Sequence, residues 1–229
     1  YVNSYFTSVE PANRWSYRWA HELYCAGHLI EAAVAWREAT GRDRFLNIMR
    51  RYADYIYRVF VEENSAHFAT PGHEEIELAL VKLYHATGVK KYLELSRHFV
   101  DLRGDNKKDV DPEEYLRQNG ERDSSARRYL KEGGEGFKVP ASARYADQSH
   151  LPPREQTTAE GHAVRACYYY SAMADVAREY GDEALKAACE KIFDNIVSRR
   201  MYLTAGVGST HNNEAFTIDY DLPNETAYT

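Results

Sequence analysis

The stretch His28-Leu-Ile-Glu-Ala-Ala-Val-Ala-Trp-Arg-Glu-Ala-Thr-Gly41, running on through Arg42-Asp-Arg-Phe-Leu-Asn-Ile-Met-Arg-Arg-Tyr-Ala-Asp-Tyr-Ile56, places two helices of different character on either side of one glycine. The first carries Leu29, Ile30, Ala32, Ala33, Val34, Ala35 and Trp36 around most of its circumference, the pattern of a helix buried nearly all round. The second keeps Phe45, Ile48, Met49, Tyr52, Ile56, Val59 and Phe60 in one stripe, with Arg50, Arg51 and Asp54 off it, so only one face is buried. Gly41 stands where a left-handed residue would end the first helix.

The unit recurs. Gly72-His73 leads through Ala86-Thr87-Gly88 to Asp101-Leu102, and Gly161-His162 leads through Glu179-Tyr180-Gly181 to Asn195-Ile196. The turn glycines 41, 88 and 181 lie 47 and 93 residues apart, close to one period and two. In the second unit Ile76, Leu78, Ala79, Leu80, Val81, Leu83 and Tyr84 again make the first helix apolar all round. Buried first helices inside half-exposed second helices predict an all-α fold, an α/α toroid of the six-hairpin barrel type. A flat solenoid of helix pairs is the alternative. Six hairpins would need roughly 280 residues, so the ring is expected to be incomplete in this chain. Tyr1 is no initiator methionine, and both ends read as cut. Residues 1–229 are read as one partial barrel domain, with a long irregular insertion at about 104–159 that serves as a lid or a plain insertion. Within it Gly133-Gly134-Glu135-Gly136 is a flexible run and Pro112–Gln118 a short helix.

Composition narrows the function classes. Lys and Arg total 29 against 35 Asp and Glu, a net charge of −6, which argues against a broad basic face for nucleic acid. No apolar run reaches the roughly 18 residues of a membrane span. Three cysteines, Cys25, Cys167 and Cys189, form no C-x-x-C pair and predict neither a disulfide framework nor a catalytic thiol. That usage favours a soluble protein of a reducing, cytoplasmic compartment, although the compartment itself is not legible.

The chemistry-bearing residues are histidines and one acidic loop. His28, His73 and His162 each follow a glycine at an expected helix start, and His21 lies two turns before His28. In a ring such starts converge on one mouth. The loop Ser209–Asn224 gathers Glu214, Asp219, Asp221 and His211, and Glu214 among Phe216 and Tyr220 has the makings of a buried general acid. Nineteen tyrosines, with Tyr168-Tyr169-Tyr170 on one helix, and Trp15, Trp19 and Trp36 near the start suit a carbohydrate ligand.

His21–Ala35, Pro71–Leu80, His150–Gln156 leading into Gly161–Ala166, and the closing Glu214-Ala-Phe, Asp219–Asn224 and Thr226–Tyr228 together resemble glycoside hydrolase family 127, the β-L-arabinofuranosidases, in the family's order and over nearly the whole chain. The resemblance implies a six-hairpin catalytic domain, normally followed by β-sandwich domains, that retains configuration in hydrolysing terminal β-L-arabinofuranosides. It implies a zinc-bound cysteine thiolate as nucleophile and a glutamate as acid/base, the latter matching Glu214. His21, His73 and His162 match histidines that line the sugar pocket. The expected zinc ligands follow the Ala-Tyr pair, beyond Thr229. None of Cys25, Cys167 or Cys189 matches one, so these residues are expected to be inactive alone and to hold no metal. Asn213 and Thr217 stand where the family is expected to have glycine. Two other readings remain. A sugar epimerase on the same barrel would use paired histidines as acid and base, and a non-catalytic helical-repeat scaffold would leave His21, His73, His162 and Glu214 scattered.

Overall fold

A computed structural model describes residues 4–105, 109 and 141–228. Among them the regular structure is helical, and extended pairing is limited to isolated bridges such as His162 with Ala215. Six long helices form three hairpins: α1 (Glu22–Thr40) with α2 (Arg44–Tyr57), α3 (Ile76–Thr87) with α4 (Lys90–Leu102), and α5 (Ala163–Tyr180) with α6 (Glu183–Asn195). The first helices α1, α3 and α5 lie side by side, each backed by its second helix. This is the inner and outer layering of an α/α toroid. Both α2 and α6 run on into a π-helical turn, at Arg58–Glu62 and Ile196–Arg200.

Each inner helix stops where the repeat predicts. Gly41, Gly88 and Gly181 have φ of +68°, +70° and +63°. A Cβ on any of them would meet nothing within 4 Å, so backbone conformation and not space selects glycine there. The core has two parts that meet on α3. Ile76, Leu80 and Leu83 pack with Ile30, Met49, Ile56 and Phe99, while Val81 packs with Val100, Tyr169, Met173 and Ile192. Burial comes nearest to all round on α3, which lies between two inner neighbours and exposes only Lys82 and His85. It fails on α1 and α5, which have one inner neighbour each. Cys25, Ala32, Ala35 and Trp36 are exposed along α1, and Val164, Cys167, Ser171 and Ala174 along α5.

Two details differ from the sequence expectation. His28 is no helix start: α1 begins six residues earlier, at Glu22, and the histidine that precedes it is His21. The apolar pattern carried the signal, because Leu23, Ala26 and Ile30 continue the helical period across His28. The three tryptophans also form no cluster. Trp15 is core, edge-on to Phe60, whereas Trp36 is 48% exposed near the far end of α1.

Of the stretch at 104–159, Gly133–Gly136 and Pro112–Gln118 lie outside the described residues. The part that follows is built into the core. A short helix at Ala141–Ala146 precedes Asp147, Gln148 and Gln156, all fully buried. The Gln156 amide donates to the carbonyls of Gln148 (2.8 Å) and Leu151 (2.9 Å).

Helices α1 and α3 approach closely because Gly27 has no side chain. A Cβ there would lie 1.4 Å from Glu75 Oε2 and 2.8 Å from the Ile76 Cα. Gly27→Ala should therefore cost about 2 kcal/mol of stability through overpacking. Helix propensity alone would instead make it a gain of about 1 kcal/mol. Urea denaturation reads the sign directly, and a more stable variant would refute the close approach.

Candidate active site

The site begins with a buried cation. Arg103, at the end of α4, is fully buried and reaches the loop before α3. Its Nη1 donates to the Asp147 carbonyl (2.9 Å) and pairs with Glu74 (3.0 Å). Its Nη2 donates to the Pro71 carbonyl (2.9 Å) and to Glu77 (3.1 Å). Arg18 grips the same loop from the other side, donating to the carbonyl (2.9 Å) and hydroxyl (2.9 Å) of Thr70 and pairing with Asp147. Two guanidinium groups thus immobilise residues 70–77, and with them His73.

His21 precedes α1 with a left-handed φ of +61°, and its ring lies over that of His73 at 3.7 Å between centroids. His162 caps α5, and three residues on Arg165 sends its Nη2 to His73 Nε2 (2.9 Å). Trp19 lies between two guanidinium groups, with Arg18 at 5.3 Å and Arg165 at 5.1 Å from its ring, and meets His73 edge-on. Gly72 leaves the room, since a Cβ there would come within 2.9 Å of the Trp19 ring.

The loop that carries Glu214 is pinned to the start of α5 by main-chain bonds. The Phe216 N–H donates to the Gly161 carbonyl (2.9 Å), Thr210 and Ala215 bond each other, and the Tyr228 N–H donates to the Gly208 carbonyl (2.9 Å). Gly161 must be glycine, with φ of +73° and a would-be Cβ 1.8 Å from the Tyr145 carbonyl oxygen. The clamp sets Glu214 Oε2 3.1 Å from His162 Nε2, and the Tyr228 hydroxyl also bonds Glu214, which raises that phenol. Asn213 and Glu214 are both left-handed, with φ of +58° and +51°. Asparagine tolerates that region and so fills a position where glycine was expected; glutamate does so under strain. Thr217 ties the loop together, its N–H donating to Ser209 Oγ (3.1 Å).

His21 and His73 therefore stack as one pair, His162 and Glu214 bond as a second, and Arg165, one turn along the helix from His162, links the two through His73. Other expectations about this loop do not hold. Glu214 is 39% exposed, not buried, and Tyr220 likewise faces solvent. Asp219 is a brace, accepting from Asn195 (3.0 Å), Arg199 (2.9 Å) and Arg200 (2.8 Å), and those bonds hold its carboxyl well below the usual range. His28 belongs to a neighbouring group. It meets Tyr24 and Tyr168 edge-on, at 4.5 and 5.8 Å, and its Nδ1 lies 3.4 Å from Glu75. Arg165 and Tyr24 were not singled out from the sequence, Trp19 only as one of three tryptophans suited to a carbohydrate and Tyr228 only within a family motif. Arg165 had one available signal, its place one turn after a helix-starting histidine.

Burial and then Arg165 pull all three site histidines down, His73 to about 2, and Glu214 pulls His162 the other way. The site is thus a set of neutral imidazoles beside fixed positive charge, with one carboxyl at its rim. That arrangement supplies hydrogen bonds to a polyhydroxylated ligand and one group for proton transfer.

Against this geometry, the family model described as β-L-arabinofuranosidase, GH127 catalytic domain, matches residues 1–229. The chain belongs to that family. The GH127 relatives include the non-reducing end β-L-arabinofuranosidase of Bifidobacterium longum subsp. longum, 42% identical over 213 residues, covering 91% of this chain and 30% of the relative. A crystal structure of a GH127 β-L-arabinofuranosidase from Geobacillus stearothermophilus T6 superposes with a TM-score of 0.82 at 47% identity, covering 98% of this chain and 33% of that one. A second GH127 β-arabinofuranosidase structure matches with a TM-score of 0.71 at 41% identity, covering 91% of this chain and 28% of that one. The chain spans about a third of the length of these relatives. Among the described residues, no helix is long and apolar enough to cross a membrane.

The GH127 resemblance implies zinc held by thiolate, and the cysteines of this chain do not fit that role. Cys25 on α1 and Cys167 on α5 are exposed and Cys189 on α6 is half-buried, and none of the three stands in a metal-sized cluster of the described residues. Among the described residues the metal-sized cluster is His28, Glu31 and Glu75, without a cysteine. Its charge is already balanced: Lys82 pairs with Glu31, and burial followed by Glu31 pushes the Glu75 carboxyl up to about 10, so that Glu75 carries a proton.

Two buried acids in this layer have clearly raised values, Glu22 at about 7 and Glu75 at about 10, each mainly through burial; burial also pushes Glu74 up, against the pull of the Arg103 guanidinium. A raised folded value means the folded protein holds the proton more tightly. The associated stability is present below pH 4.5, the ordinary carboxyl value, and is lost as pH rises through those values. Stability should fall between pH 5 and 9, and Glu75→Gln, which stays neutral, should flatten the upper part of that slope. Urea midpoints across the range measure it; an unchanged slope would place the proton elsewhere.

Proposed function

We propose that the protein is a retaining glycoside hydrolase that removes terminal β-L-arabinofuranosyl residues, with Glu214 as its acid/base. The observation that carries this reading is the pairing of Glu214 Oε2 with His162 Nε2 at 3.1 Å, which Arg165 links to the stacked pair of His73 and His21. The names of the relatives supply the sugar.

In this reading the carboxylic acid of Glu214 protonates the glycosidic oxygen as the bond breaks. Its carboxylate then takes a proton from the incoming water. Exposure at the rim lets Glu214 exchange protons with solvent, and the left-handed backbone together with the Gly161 clamp aims the carboxyl at the pocket side of His162. His162 and the Tyr228 hydroxyl orient it. His21 and His73 hydrogen-bond the sugar hydroxyls, and Trp19 and Tyr24 supply aromatic walls. Zinc would supply an activated thiolate nucleophile in GH127. No step is assigned to Cys25, Cys167 or Cys189, none of which matches a zinc ligand of the family. The epimerase reading needs a histidine that charges and discharges near neutrality, and His73 at about 2 is poorly suited to that. A scaffold without chemistry gives no reason for a strained glutamate at a histidine cluster.

Glu214→Gln in the full-length protein should lower kcat/KM on an aryl β-L-arabinofuranoside by roughly 10²–10⁴-fold. The loss should be smaller for a strongly activated leaving group, which needs no protonation. Steady-state kinetics with the two leaving groups decide it, and full activity in the variant would end the proposal.

A further inference from the structure

We propose that Arg165 is a positioning residue: it locks the His73 imidazole as the Nδ1–H tautomer, so that His73 serves as a fixed hydrogen-bond donor and never as an acid or base. A guanidinium has only donors. With Arg165 Nη2 at 2.9 Å, His73 Nε2 must present its lone pair, and the single proton of the neutral ring is left on Nδ1.

The surroundings hold this state. Arg165 is itself fixed, its guanidinium over the Trp19 ring at 5.1 Å and drawn by the charges of Glu74 and Asp147. The titratable or charged groups that face His73 are Arg165 and His162 from α5, His21 and Arg18 from the segment before α1, and Tyr24 on α1. No carboxylate is among them, since Glu74, next in sequence, turns to Arg103. A second proton on His73 would sit beside a guanidinium with no anion to offset it, in agreement with the low value already described.

His73 Nδ1 is buried and makes no hydrogen bond among the described residues. A buried donor without an acceptor is a costly group, and a ligand oxygen that meets it relieves the cost. The identity of the acceptor as a sugar oxygen rests on the glycosidase reading above. The tautomer does not.

The test is ¹⁵N-histidine NMR on the full-length protein, with the His73 signals assigned by their loss in His73→Gln. The expected wild-type pattern is a single Nδ1–H tautomer that does not titrate between pH 5 and 9. In Arg165→Met the Nε2–H form, which prevails for histidine in water, should appear and the ring should begin to titrate. Arg165→Lys, which keeps a donor-only cation, should preserve the Nδ1–H pattern. Arg165→Met should also lose roughly ten- to a hundred-fold in kcat/KM, mostly through KM, from one charge-assisted contact. A wild-type Nε2–H pattern, or an unchanged pattern in a folded Arg165→Met, overturns the proposal. If Arg165→Met fails to fold, the wild-type and lysine spectra still decide it. A tautomer that behaves as stated in a protein without arabinofuranosidase activity would refute only the glycosidase reading.

Discussion

One buried guanidinium governs the geometry of this protein. Arg103 has no exposure to solvent, and its donors are divided among two main-chain carbonyls and the carboxylates of Glu74 and Glu77. Taking such a charge out of water is expensive unless every partner is in place. The cost is offset only when the end of α4, the loop before α3 and the segment at Asp147 meet in one arrangement. That arrangement places His73. The Tyr169 ring of α5, 5.0 Å from the guanidinium, closes the third side and ties the second hairpin to the third.

Around this anchor, small residues decide how close the elements come. Gly27 admits the Glu75 carboxyl between α1 and α3, Gly72 admits Trp19, and Gly161 lets the Ala141–Ala146 segment reach the start of α5 while accepting the Phe216 N–H. Each omits a side chain at a point where another group passes. The outcome is a site whose parts come from four places in the chain and whose backbone is left-handed at both His21 and Glu214. Strain of this kind persists because the neighbouring bonds over-determine it.

The electrostatics follow from the same packing. Arg18 and Arg165 flank Trp19 and keep the histidines neutral, while the acids that balance them, Glu74 and Asp147, lie deeper. Glu214 is the exception, a carboxyl left at the rim with His162 and Tyr228 as partners. The rim carboxyl and the neutral imidazoles are thereby set in different electrostatic surroundings, although His162 and His73 reach the site from adjacent inner helices.

Much of this was legible in the linear order. Helical period, circumferential apolarity and the turn glycines 41, 88 and 181 determine three hairpins with an inner and an outer layer, because those features act within a few residues of one another. The motifs around His21, His73, His162 and Glu214 likewise mark the family. What only the tertiary structure decided is everything that depends on approach across the chain. Arg103 is buried although it carries a full charge, Asp219 braces its loop, Glu214 is exposed and strained where burial was expected, and α1 starts just after His21 instead of at His28. Charge, burial and protonation are properties of groups brought together from distant positions, and no local pattern encodes which groups those will be.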